Sequence, residues 1–81
     1  MARIVRFTEL PPRERERATT EVDCGYRLSS MDGVRVLHLE TYGSPERQIP
    51  GKVSQSIQLD ESAARRLVDL INAAFPALSA R

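Results

Sequence analysis

The 81-residue sequence predicts an α+β domain, a small antiparallel sheet of three to four strands followed by one C-terminal helix, assembled as a dimer. Three observations carry this. Val22–Leu28, Val34–Tyr42 and Val53–Leu59 show the two-residue alternation or the β-branched content of strands. Asp60-Glu61 then opens a segment whose apolar residues recur at helical spacing. Finally, a chain this short buries too little surface to be robust alone. With one cysteine and one histidine it has neither a disulfide nor a zinc cluster to compensate, so oligomerisation remains.

The elements follow in order. Residues 1–20 read as an N-terminal strand or arm and a charged linker. Ile4-Val5-Arg6-Phe7-Thr8-Glu9-Leu10 is short and β-prone and is stopped by Pro11-Pro12. Arg13 to Arg17 alternates Arg and Glu with no apolar face, as a solvated linker does. Residues 21–76 form the sheet-plus-helix domain. In its first strand Val22, Cys24, Tyr26 and Leu28 share the inward side, which makes Cys24 a core thiol. Gly25 on the other side permits a close approach by a neighbour. Asp32-Gly33 signals a two-residue hairpin. Val34–Tyr42 has no cleanly polar face, so it is a central strand, and His38 reads as an ordinary strand residue.

Residues 43–51 are a loop on their Gly and Pro content. The third strand sets Val53, Gln55, Ile57 and Leu59 against an uncharged polar outer face of Ser54, Ser56 and Gln58. Asp60 caps a helix whose Ala64, Leu67, Val68, Ile71, Ala74 and Phe75 form the apolar stripe, widened by Leu70. Pro76 ends it. One part of the stripe covers the sheet; Leu67, Leu70, Ile71 and Phe75 are the candidate dimer contacts. Residues 77–81 are a tail.

The totals exclude several classes. At 41% hydrophobic and 28% charged the composition is that of a globular domain. No apolar run approaches the roughly 20 residues of a membrane span. Met1–Leu10 is too short and charged for a signal peptide, so a cytoplasmic location is expected. Net charge is +2 over residues 1–20, −1 over 21–59 and zero over 60–81. A sheet at −1 holds a polyanion only if its cations gather on one face.

No catalytic set appears: no Ser/His/acid arrangement, no CxxC, no HExxH. Gly51-Lys52 with Ser54 resembles part of a phosphate loop, but the leading glycine is missing and a strand follows instead of a helix. No enzyme, cofactor or metal is expected. What remains is polar chemistry at one end of one hairpin: Tyr42, Ser44, Arg47, Lys52, Ser54 and Gln55. Cations that track phosphates beside an aromatic that stacks a base are how single strands are held. Arg27 and Arg35 extend that track if the Asp32-Gly33 turn makes their strands neighbours.

The run Gly33-Val34-Arg35-Val36-Leu37-His38-Leu39-Glu40-Thr41-Tyr42, then Pro50-Gly51-Lys52, then Ile57-Gln58-Leu59-Asp60-Glu61 with its helix resembles the positive-cofactor-four type of transcriptional coactivator, which has small bacterial and phage relatives. The resemblance covers about residues 21–75. It implies a curved sheet backed by one helix, dimerised through helix and sheet, binding single-stranded DNA along the sheet. Arg27, Arg35, Tyr42, Arg47 and Lys52 lie at roughly the family's basic and aromatic places. The family's Lys-rich strand is absent, and Gly43 stands where a tryptophan follows the tyrosine.

Two functions are thus expected from the chain alone. One is a dimeric single-stranded nucleic-acid-binding protein, DNA before RNA, acting in transcription or replication. The other is a homodimeric protein-interaction module without nucleic acid. Convergence of Arg27, Arg35, Arg47 and Lys52 on one surface separates them.

Overall fold

Asp32 and Gly33 make the predicted tight turn, with φ of 52° and 80°, the left-handed pair of a two-residue hairpin. Glycine has no Cβ to strain there, and Asp is among the few side chains that tolerate it. The computed structural model describes residues 1–16, 19–42 and 53–78. Its strands are β1 (Ala2–Arg3), β2 (Cys24–Met31), β3 (Val34–Tyr42) and β4 (Val53–Leu59). Helix α1 (Glu61–Ala74) and a 3-10 turn at Pro76–Leu78 follow.

The strands form one sheet in the order β1-β4-β3-β2. β2 and β3 run antiparallel in unbroken register from Met31–Val34 to Cys24–Thr41. β3 and β4 are also antiparallel, with an irregularity at Thr41/Tyr42 where the ladder ends. The expected class stands, but the sheet is mixed: β1 lies parallel to β4, pairing Ala2 with Ile57 and Arg3 with Gln58. The Ile4 N–H adds one bond to the Gln58 carbonyl at 3.0 Å. The strand read at residues 4–10 therefore sits at the very start of the chain. After Ile4 the segment leaves the sheet with Val5 and Leu10 exposed, and Arg13–Glu16 are exposed as well.

Opposed residues share a face, so the register divides the sheet. Tyr26, Leu28, Leu37, Leu39, Ile57 and Leu59 lie on one side, the leucine face. Arg27, Ser29, Val36, His38, Glu40 and Gln58 lie on the other, the histidine face. Among the described residues the buried apolar side chains are Leu59, Val36 and Ala63, with Leu59 only 1% exposed. They lie near the place where β3 and β4 meet the first turn of α1, Leu59 on the leucine face and Val36 on the histidine face.

Asp60 holds that junction. Its backbone is extended, its side chain accepts the Ala63 N–H at 3.0 Å, and its carbonyl accepts the Ala64 N–H at 2.9 Å. Such a cap contributes about 1 kcal/mol. Glu61 places a negative charge at the positive helix end and reaches Arg65 one turn on, at 3.3 Å. At the other end the Phe75 N–H still bonds to the Ile71 carbonyl at 2.8 Å, and Pro76 stops the helix as the sequence predicts.

The chain is open for its size. Its Cα radius of gyration is 15.3 Å, where a compact domain of this length has about 12 Å. It exposes 7625 Å², against roughly 4,900 Å² for a compact monomer of its mass. The exposed segment after β1 contributes to that surplus.

Candidate interaction surface

The histidine face is polar yet covered. His38 and Gln58 are both buried. Gln58 Nε2 donates to His38 Nδ1 at 3.4 Å and to Met1 Sδ at 2.6 Å. With Nδ1 accepting, the imidazole proton sits on Nε2, which donates to Ser29 Oγ at 2.8 Å. A polar row, Ser29–His38–Gln58–Met1, thus runs from β2 to the N-terminus. It satisfies the donors that burial would otherwise strand. Ser56 Oγ, also on this face, is buried and has no partner among the described residues. The third-strand face read as outward is therefore turned inward at Gln58, because His38 and Met1 supply the amide's partners. Sequence reasoning missed this row. Its one signal was His38, which interrupts the line of Val34 and Val36.

Beside the row, Arg27 Nη2 lies 3.5 Å from Glu40 Oε1. Tyr42 lays its ring over Gly25: a Cβ added at Gly25 would come within 2.7 Å of the phenol oxygen. Its N–H also reaches the Asp23 carbonyl at 3.3 Å, extending the β2 ladder. The close approach expected at Gly25 is thus made by Tyr42, which is half-buried and engaged within the sheet.

The residues read as a nucleic-acid track divide. Arg27 pairs opposite His38, while Arg35 pairs opposite Ser30; the two arginines project from opposite faces. Gln55 is exposed on the leucine-face side opposite Thr41, and Ser54 is exposed beside the irregularity at Tyr42. Ser44, Arg47 and Lys52 lie outside the described residues. Among the described residues no cluster of His, Cys, Asp and Glu is arranged to hold a metal ion. No helix there is long and apolar enough to cross a membrane.

The leucine face is apolar, buried at Leu59 but open along β2. Tyr26 is 76% and Leu28 66% exposed. Cys24, read as a core thiol, is exposed on this same side as a free cysteine. The helix also exposes apolar side chains: Val68 is 54%, Phe75 61% and Ile71 38% exposed. Leu67 and Leu70, the other two candidate dimer contacts, are half-buried. Sheet and helix meet at an open apolar groove of about 130 Å³, lined by Leu28, Leu37, Leu59 and Ala64, with Arg35 and Glu61 at its polar edge. The arrangement suits burial of another apolar surface. In comparisons with protein-family models, curated proteins and solved structures, nothing matches the chain.

Proposed function

We propose that this chain is a homodimeric protein-interaction module of the cytoplasm. The observation that carries the reading is the set of exposed apolar side chains, Tyr26 and Leu28 on the leucine face and Val68, Ile71 and Phe75 on the helix. Isolated exposed apolar residues are ordinary, but a contiguous apolar patch marks an interface. A stable interface removes on the order of 800 Å² from each partner, and the chain's surplus surface can supply that. The expected result is a particle of twice the 9.1 kDa chain mass in sedimentation equilibrium at micromolar concentration. A monomer throughout that range sinks the proposal.

A second reading, single-stranded nucleic acid with DNA before RNA, is favoured by one feature. Tyr42 and Val53 pair on either side of residues 43–52, among which are Arg47 and Lys52, with exposed Gln55 adjoining. Against it, Arg27 and Arg35 lie on opposite faces and Arg27 is held by Glu40. A fluorescence-anisotropy titration with an unstructured oligonucleotide at two salt concentrations separates the readings. The module reading expects no salt-sensitive binding. Binding that Arg47→Ala and Lys52→Ala each weaken, with a shallower salt slope, establishes the second reading instead.

A further inference from the structure

The sheet has two unlike edges. One is β1, two residues long and left by the chain after Ile4. The other is β2, eight residues in unbroken register with β3. Native edges are blunted by Pro, Lys, a bulge or shortness; Cys24–Met31 has none of these. The hairpin fixes which of its backbone groups are open. A two-residue turn closes on a hydrogen-bonded pair, here Met31–Val34, so every second residue back from Met31 bonds to β3. The Asp23 carbonyl, accepting from the Tyr42 N–H, keeps that phase. The N–H and C=O groups of Cys24, Tyr26, Leu28 and Ser30 therefore face outward, and β3 is the neighbour of β2 in the described sheet.

Resting on the homodimer reading above, we infer that two copies join antiparallel along β2, about a two-fold axis at Tyr26, into one continuous sheet. An axis perpendicular to the sheet keeps each face on its own side, so opposed residues come from the same face. Near the middle of the strand that condition allows centres at Tyr26, Arg27 or Leu28. A centre at Arg27 opposes like charges directly, which is unfavourable. A centre at Leu28 sets Arg27 against the partner's Ser29, flanked by the partner's Arg27 and Met31. A centre at Tyr26 sets Arg27 against the partner's Gly25, flanked by the partner's Arg27 and Asp23. Of the three, the Tyr26 register alone brings a carboxylate beside Arg27, and the two-fold supplies it twice.

Arg27 can take that second partner. It reaches Glu40 through Nη2 at 3.5 Å and its side chain is 66% exposed, with the remaining guanidinium donors available. The partner's Gly25 adds no side chain in its way, and Asp23 is exposed. On the leucine face Tyr26 meets the partner's Tyr26, and Leu28 meets the partner's Cys24, so the most exposed apolar residues of β2 are covered. The outward groups of Cys24, Tyr26 and Leu28 exchange about six hydrogen bonds. The helix takes no part, and the contact closes on itself.

Disulfide trapping tests the register. Opposed residues of a hydrogen-bonded antiparallel pair have Cα atoms about 5.5 Å apart, which a disulfide spans. Four residues of offset along a strand add about 13 Å, which it cannot. Tyr26→Cys and Leu28→Cys are each made with Cys24→Ser, and circular dichroism checks that both keep the parent fold. Under mild oxidation Tyr26→Cys is expected to form a covalent dimer at least about 10-fold faster than Leu28→Cys, while the parent, with Cys24 opposite the partner's Leu28, stays uncross-linked. Asp23→Lys, which turns two attractions into repulsions, should weaken the dimer on the order of 10-fold in sedimentation. Equal or reversed cross-linking rates, or an Asp23→Lys dimer as tight as the parent's, overturn the pairing. A parent dimer in which neither cysteine variant cross-links overturns it too and leaves the homodimer standing. A monomeric parent overturns both.

Discussion

Replacing Leu59 by alanine is expected to unfold most of the chain under conditions where the parent is folded. Leu59 is the largest fully buried side chain among those described. It ends β4 opposite Leu37 and stands immediately before the Asp60 cap, so it joins sheet to helix. Buried Leu→Ala changes cost about 2–5 kcal/mol. A domain of 81 residues has roughly 4–12 kcal/mol in all. With Val36 and Ala63 as the other buried apolar residues described, little remains to fill the cavity. In urea, where small proteins lose about 1–3 kcal/mol per molar, the midpoint should fall by about 1 M or more at fixed protein concentration. Leu59→Met keeps the volume and should cost less than about 1.5 kcal/mol. An unchanged midpoint for Leu59→Ala would mean that the core lies elsewhere.

The second large effect is expected at His38. Alanine there deprives Gln58 Nε2, buried in central β4, of an acceptor and Ser29 Oγ, half-buried on edge strand β2, of a donor. Each buried polar group left unpaired costs about 1–3 kcal/mol, so His38→Ala should lose on the order of 2–4 kcal/mol in the same urea experiment. The informative companion is the triple variant Ser29→Ala, His38→Leu, Gln58→Leu. Removing every partner removes the unsatisfied groups too, and such replacement is close to neutral. If the triple variant is as unstable as His38→Ala, the loss comes from shape and not from orphaned hydrogen bonds.

Much of this architecture was legible in the chain. The alternation of Val22–Leu28, Val34–Tyr42 and Val53–Leu59 marked the three long strands, Asp32-Gly33 their first turn, and Asp60 and Pro76 the helix ends. These features are local, and local chemistry decides them. The partner of residues 2–3 is a different matter. Parallel pairing with β4 joins distant segments, and no nearby pattern announces it. The inward turn of Gln58 was hidden for a related reason: an uncharged polar residue reads as outward until its partners, here His38 and Met1, are known. Cys24 went the other way, since alternation says which side a residue takes but not whether anything covers that side. The separation of Arg27 from Arg35, by contrast, was available from arithmetic. A two-residue turn opposing Met31 to Val34 sets Arg27 against His38 and Ser30 against Arg35, an odd offset that divides them between faces.

The pairing of β1 has a consequence for the order of assembly. β2, β3 and β4 meet near neighbours along the chain, whereas Ala2 must find Ile57. That closure spans most of the sequence, and its entropy is repaid by few hydrogen bonds. Contacts of this kind form late, after the local hairpins supply a template. β1 is thus the last strand to dock and the first to leave, and its departure uncovers Gln58 while the β2–β3–β4 ladder stays paired. Amide exchange reads the order directly: the Ile4 N–H should exchange well ahead of that of Leu39. Equal protection at the two positions would show instead that the sheet opens as one unit.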